Sequence, residues 1–120
     1  MSDSFDAETE EMERMFEEVR QRFIQSLDER MKNTEAAVAR AVGDGEAAAD
    51  GVERGYKELH TFCGMAGMVG FADLGSMARA ALNVLSPARR EKRGLEPAEV
   101  NQFQIPYQRL KAGIEGAVGR

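Results

Sequence analysis

With 120 residues, 42% of them hydrophobic, the chain is large enough for one core and too small for two. A formal net charge of -5 argues against general binding to a nucleic-acid backbone, which needs clustered Lys and Arg to displace phosphate counterions. One cysteine excludes an internal disulfide, and no apolar N-terminal run fits a signal peptide or a bilayer span, so a cytoplasmic chain with no membrane partner is expected.

Helix formers dominate, Pro occurs three times, and no segment sustains an apolar/polar alternation, so the expected class is all-α. The first 18 residues carry Asp3, Asp6, Glu8, Glu10, Glu11, Glu13, Glu17 and Glu18 against Arg14 alone. Residues 1–10 read as a partly flexible acidic segment, and Asp6 is the expected N-cap of the first helix, its acidic neighbours suiting the positive end of the helix dipole. Thr9 stands where a capping box needs Glu or Gln. The apolar stripe then runs through Met12, Phe16, Val19, Phe23, Leu27, Met31, Val38 and Val42, with the weaker Thr34 between, until Gly43-Asp44-Gly45. Either one long helix or two in line, broken near Lys32-Asn33-Thr34, would carry it.

Asp44 is the expected N-cap of a second helix that ends at about Val69, with Ala48, Val52, Gly55, Leu59, Phe62, Ala66 and Val69 on its inner side. Gly51 and Gly55 lie on or near that side and read as points of close helix approach. His60, the single histidine, lies roughly 120° from the centre of the stripe and should face solvent, flanked by Lys57 and Thr61. Gly64 and Gly67 share its stripe, although each glycine in a helix interior costs about 1 kcal/mol relative to alanine. They clear the surface beside the imidazole. Met65 and Met68 fall outside the apolar stripe and offer adaptable thioethers for docking.

Gly70 should end this helix in a left-handed conformation. A third helix carries Phe71, Leu74, Met77 or Ala78, Ala81 and Leu85, with Ser86-Pro87 expected to stop it and a polar loop, holding the Arg89, Arg90, Lys92 and Arg93 run, expected up to Gly94. Pro97 fits the first turn of a fourth helix with Val100, Phe103, Tyr107, Leu110, Ile114 and Val118 inside, and Pro106 should kink or restart it near Gln104 or Ile105. Four amphipathic helices with short connections predict a single domain over 1–120, an antiparallel four-helix bundle with a long or broken N-terminal helix and a kinked C-terminal one.

One His and one Cys make no metal site, no Gly-rich loop follows a strand, and Cys63 leans toward the core. No bound cofactor and no autonomous kinase activity are therefore expected. A solvent-facing imidazole remains, and its neutral ring nitrogen can accept a phosphoryl group if a magnesium-bearing partner comes close. The segment Leu59 to Leu74, with His60, Gly64, Ala66, Gly67, Gly70 and Leu74 in register, resembles the histidine-containing phosphotransfer (HPt) domain family, whose motif reads approximately H-x-x-K-G-x-x-G-x-x-G-x-x-x-L.

The resemblance implies a phosphorelay intermediate in two-component signalling, with His60 phosphorylated on its outer nitrogen, response-regulator receiver domains and a hybrid or other histidine kinase as partners, and Mg2+ in the receiver. Gly64, Gly67, Thr61, Met65 and Met68 are the expected docking residues. Cys63 occupies the position of the motif lysine, and Lys57, roughly 60° from His60 in projection, is the expected substitute cation. Two other functions compete with relay. One is a non-catalytic bundle that sequesters a receiver or kinase, and the other is dimerisation through the first helix, for which monomer and homodimer both remain open.

Overall fold

The computed structural model describes the backbone of residues 2–119 and the side chains of residues 6–119. Its helices are α1 (Ser2–Arg40), α2 (Glu46–Met68), α3 (Ala72–Arg90) and α4 (Pro97–Val118), each packed against the next. This is the expected all-α four-helix bundle, and no strand occurs among the described residues.

No Gly or Pro precedes Gly43, so nothing in the sequence interrupts α1. One expectation is corrected by that continuity, since Asp6 lies inside the helix rather than at its cap. Of the two alternatives for the stripe the chain takes the single long helix, and the buried Thr34 hydroxyl within it donates to the Arg30 carbonyl at 2.9 Å. Of the segment expected to be flexible, Met1 and the side chains of residues 2–5 lie outside the description, and residues 6–10 are helical.

The α1 stripe is only partly covered. Phe23, Leu27, Met31 and Val38 are buried, whereas Met12, Phe16 and Val19 are 69%, 51% and 44% exposed. The reason is where the bundle ends: Phe23 packs on Phe62 and Phe71, with centroids 5.4 and 5.9 Å apart, and Arg20 lies 4.9 Å over the Phe71 ring. Among the described residues, nothing stands beside α1 before that level.

The N-cap of α2 is Gly45, at φ 95°, and not Asp44; glycine accepts the left-handed turn that lets the chain reverse. Its inner residues Ala48, Val52, Gly55, Leu59, Phe62, Ala66 and Val69 are all buried, as the stripe predicts. Gly51 is the tightest point. A Cβ there would stand 2.7 Å from both the Ala37 carbonyl oxygen and the Ala41 nitrogen. At the other end Gly70, at φ 88°, allows the Phe71 amide to reach the Ala66 carbonyl at 2.8 Å.

Pro87 does not stop α3, which continues to Arg90 because Ala88 is fully buried and Arg89 bonds Glu53 of α2. The polar loop is correspondingly shorter. Pro97 opens α4 as expected, with Glu96 and Glu99 forming a capping box, and the helix passes through Pro106 without the expected restart. Several contacts join the later part of the chain to α1 and the turn after it. Leu95 donates to the Ala41 carbonyl at 2.7 Å, and the Tyr107 hydroxyl donates to Glu35 at 2.6 Å, linking α4 to α1.

Because backbone atoms cannot yield at Gly51, Gly51→Ala should lower stability by about 1–3 kcal/mol, read from denaturant midpoints. A second expectation concerns acid. Arg93 donates to both Glu99 oxygens, at 2.6 and 3.2 Å, and holds that carboxyl below its ordinary value of 4.5. A carboxylate lowered in the folded state stabilises above its unfolded pKa and loses that contribution as pH falls through the folded one. Urea midpoints should therefore fall on acidification below about pH 5, and Arg93→Gln should flatten that fall.

Candidate functional site

Because the small and apolar residues of α2 are drawn inward, its opposite side is presented to solvent, and His60 is exposed there. Neither of its ring nitrogens has a hydrogen-bond partner among the described residues. The ring instead stacks on Tyr56, one turn earlier, with centroids 6.2 Å apart and planes at 18°. Tyr56 is itself covered by the Arg89 guanidinium at 4.1 Å, and Arg89 is held by Glu53 through bonds of 2.9 and 3.4 Å. A chain from Glu53 through Arg89 and Tyr56 thus fixes one side of the imidazole while leaving its nitrogens open. The Arg89 hydrogen bond holds the Glu53 carboxyl below the ordinary carboxylate range, so the pair stays charged near neutrality.

The expected docking residues are distributed around this ring. A Cβ at Gly64 or Gly67 would meet nothing within 4 Å, so both positions are bare surface. Met68 is 71% exposed. Met65 is half-buried against the core, which leaves Met68 as the freely presented thioether. Thr61 and Lys57 are exposed and line one wall of a groove of about 530 Å³, with Arg30, Asn33 and Arg40 of α1 on the other.

Cys63 lies on the opposite flank of α2. Its thiol donates to the Gly75 carbonyl of α3 at 3.4 Å, and burial pushes its pKa up, against a smaller opposing pull from the Arg79 cation. The residue is therefore a protonated packing partner and not a nucleophile. Among the described residues no cluster of His, Cys, Asp and Glu is arranged to hold a metal ion, and no helix is long and apolar enough to cross a membrane.

A family model for the Hpt domain matches residues 18–114. The chain belongs to the Hpt domain family. No curated protein and no solved structure matches it. Hpt domains take part in histidine phosphotransfer within phosphorelays, where they meet receiver domains and histidine kinases.

Tyr56, Arg89 and Arg79 are absent from the expected site. Tyr56 had a signal in sequence, being four residues before His60 on the same helix. Arg79 and Arg89 had none, since their place beside α2 depends on the register of α3, which only the folded chain sets. With open space at both positions and no positive φ, Gly64→Ala and Gly67→Ala should each raise helix stability by up to about 1 kcal/mol. Thermal midpoints of the two variants, which should rise, check this.

Proposed function

We propose that the protein relays a phosphoryl group between receiver-domain aspartates through His60, as a cytoplasmic intermediate of a two-component phosphorelay. The observation that carries this reading is an exposed imidazole, braced on one side by Tyr56, with unpartnered nitrogens and two bare glycines beside it. The receiver docks over Gly64, Gly67 and Met68, with Thr61 and Met65 at the margin, and supplies the magnesium ion. The outer ring nitrogen attacks the phosphorus of the aspartyl phosphate in line. As the P–N bond forms, the P–O bond to the aspartyl carboxylate breaks, and that carboxylate leaves with the electron pair. Transfer to the next receiver is the reverse exchange.

The charge that the motif lysine gives in other members must come from elsewhere, because Cys63 is turned toward Gly75. Lys57 is the first candidate. Its ammonium is 3.7 Å from Glu53, so it must exchange that partner for the phosphoryl oxygens. Arg79 is the second; it is exposed, has no ion-pair partner among the described residues, and its charge pulls the Cys63 thiol down against the larger effect of burial.

Incubation with a phosphorylated cognate receiver should label the protein in an acid-labile, alkali-stable form, and His60→Gln should abolish the label. Label persisting in that variant would refute the assignment. The absence of the motif lysine favours a second reading, a module that binds a receiver without transfer; receiver binding equally tight in wild type and His60→Gln, with no label in either, would select it. Lys57→Ala and Arg79→Gln should each slow transfer by about tenfold if its cation holds the phosphoryl group, taking about 1.4 kcal/mol for one charge-assisted hydrogen bond. Single-turnover transfer rates, with helicity checked by circular dichroism, decide between them.

A further inference from the structure

Residues 6–19 of α1 are exposed at every position, a projection of about 21 Å at 1.5 Å per residue. Most of it also precedes the family match, which begins at residue 18. Seven carboxylates and one arginine lie on it, yet it is not polar all round: Met12, Met15, Phe16 and Val19 are 69%, 59%, 51% and 44% exposed. Met12, Phe16 and Val19 follow the spacing of three and four that leads into the buried Phe23, so the core stripe simply continues past the bundle. A solitary helix of this length is marginal in water, and an apolar seam of this spacing is what a second helix covers.

We propose that this projection pairs antiparallel with the same segment of a second copy of the chain, about a two-fold axis near Arg14. The charges select that occupant and that direction. In this register Phe16 packs against Met12 of the second copy, Thr9 lies opposite Val19, and Met15 meets its own counterpart. The residues flanking the seam then oppose Glu8 to Arg22 and Asp6 to Arg20, each pair occurring twice by symmetry.

Arg22 has no ion-pair partner in its own chain among the described residues, and Arg20, positioned over Phe71 at the bundle's end, has a long contact of 3.8 Å to Glu17 that it can share with Asp6 of the second copy. Glu10, Glu11, Glu17 and Glu18 point away from the seam, leaving Glu13 against its counterpart as the one like-charge contact. A parallel pair is worse. There the residues before Thr9, Phe16 and Phe23 face those five places further along the partner, which sets Glu8 against Glu13 and leaves Arg22 unpaired. Sliding the antiparallel pair one heptad toward the tips sets Asp6 against Glu13, and sliding it the other way sets Met12 of the second copy level with Phe23, where Phe62 and Phe71 already stand, whereas in the register proposed only the residues before Asp6 reach that level. Four apolar side chains per chain make a small interface, so the dimer is weak and concentration-dependent.

Sedimentation equilibrium of the full chain up to about 200 μM should show a 13.2 kDa species passing into one of twice that mass. Phe16→Glu should abolish the heavier species without changing the far-ultraviolet dichroism or the thermal midpoint of the bundle. Glu8→Arg and Arg22→Glu should each weaken dimerisation by about tenfold, as two symmetry-related pairs turn repulsive at about 0.7 kcal/mol each, and an equimolar mixture of the two variants should restore association. A single 13.2 kDa species at every concentration would overturn the proposal and point to a basic partner helix of another protein. Tighter association of Glu8→Arg alone, the sign expected of a parallel pair, or a mixture no tighter than its components would overturn the antiparallel register.

Discussion

At Gly51 the backbone of α2 lies directly on that of α1, and at Cys63 it lies against Gly75 of α3, where a Cβ on the glycine would stand 3.3 Å from the Cys63 carbonyl oxygen. These two approaches hold one helix on both flanks. A helix fixed in that way cannot roll about its axis, and the side presented to solvent is then determined by default. His60, Gly64, Gly67 and Met68 are on that side. The phenylalanines at 23, 62 and 71 close the far end of the same layer, and the Glu53–Arg89–Tyr56 chain transmits the α2–α3 register to the imidazole itself.

The same packing accommodates cysteine at the position of the motif lysine. A lysine at position 63 would carry a long, charged stem beside the close approach of Gly75, while cysteine places there one small atom that donates to a carbonyl oxygen. On the proposed relay, positive charge would come instead from the flanks, from Lys57 on the α1 side and from Arg79 on the α3 side. Neither is fixed by an internal contact comparable to that of Arg89.

Apolar spacing carried the fold, since an amphipathic stripe is a local property: the inner faces of α2 and α4 are those that periodicity implies, and His60 is exposed because it lies off the stripe. Termini were less legible. Pro87 reads as a stop when only local backbone rules apply, but burial of Ala88 and the Arg89–Glu53 bond reward one more turn. The α1 stripe misled in the other direction. Its spacing gives no sign that Met12, Phe16 and Val19 lie beyond the last helix able to cover them, because that depends on how long the neighbouring helices are. Arg79 and Arg89 were hidden for a related reason, as contacts between helices depend on register, which composition and spacing do not encode.

Gly64 and Gly67 remain the most informative residues of the site. Gly51 has a backbone against it and Gly70 a left-handed φ, so each has a reason internal to the fold. Gly64 and Gly67 have neither: they sit in regular helix with open space where a side chain would go, and alanine at either would make the isolated bundle more stable. On the proposed relay, an added methyl would obstruct a partner and not the bundle itself, at the surface beside the imidazole. A receiver that must bring its phosphoryl group into line with a histidine on a convex helix needs its own backbone within a few ångströms of that helix. The two glycines are where such an approach meets least resistance.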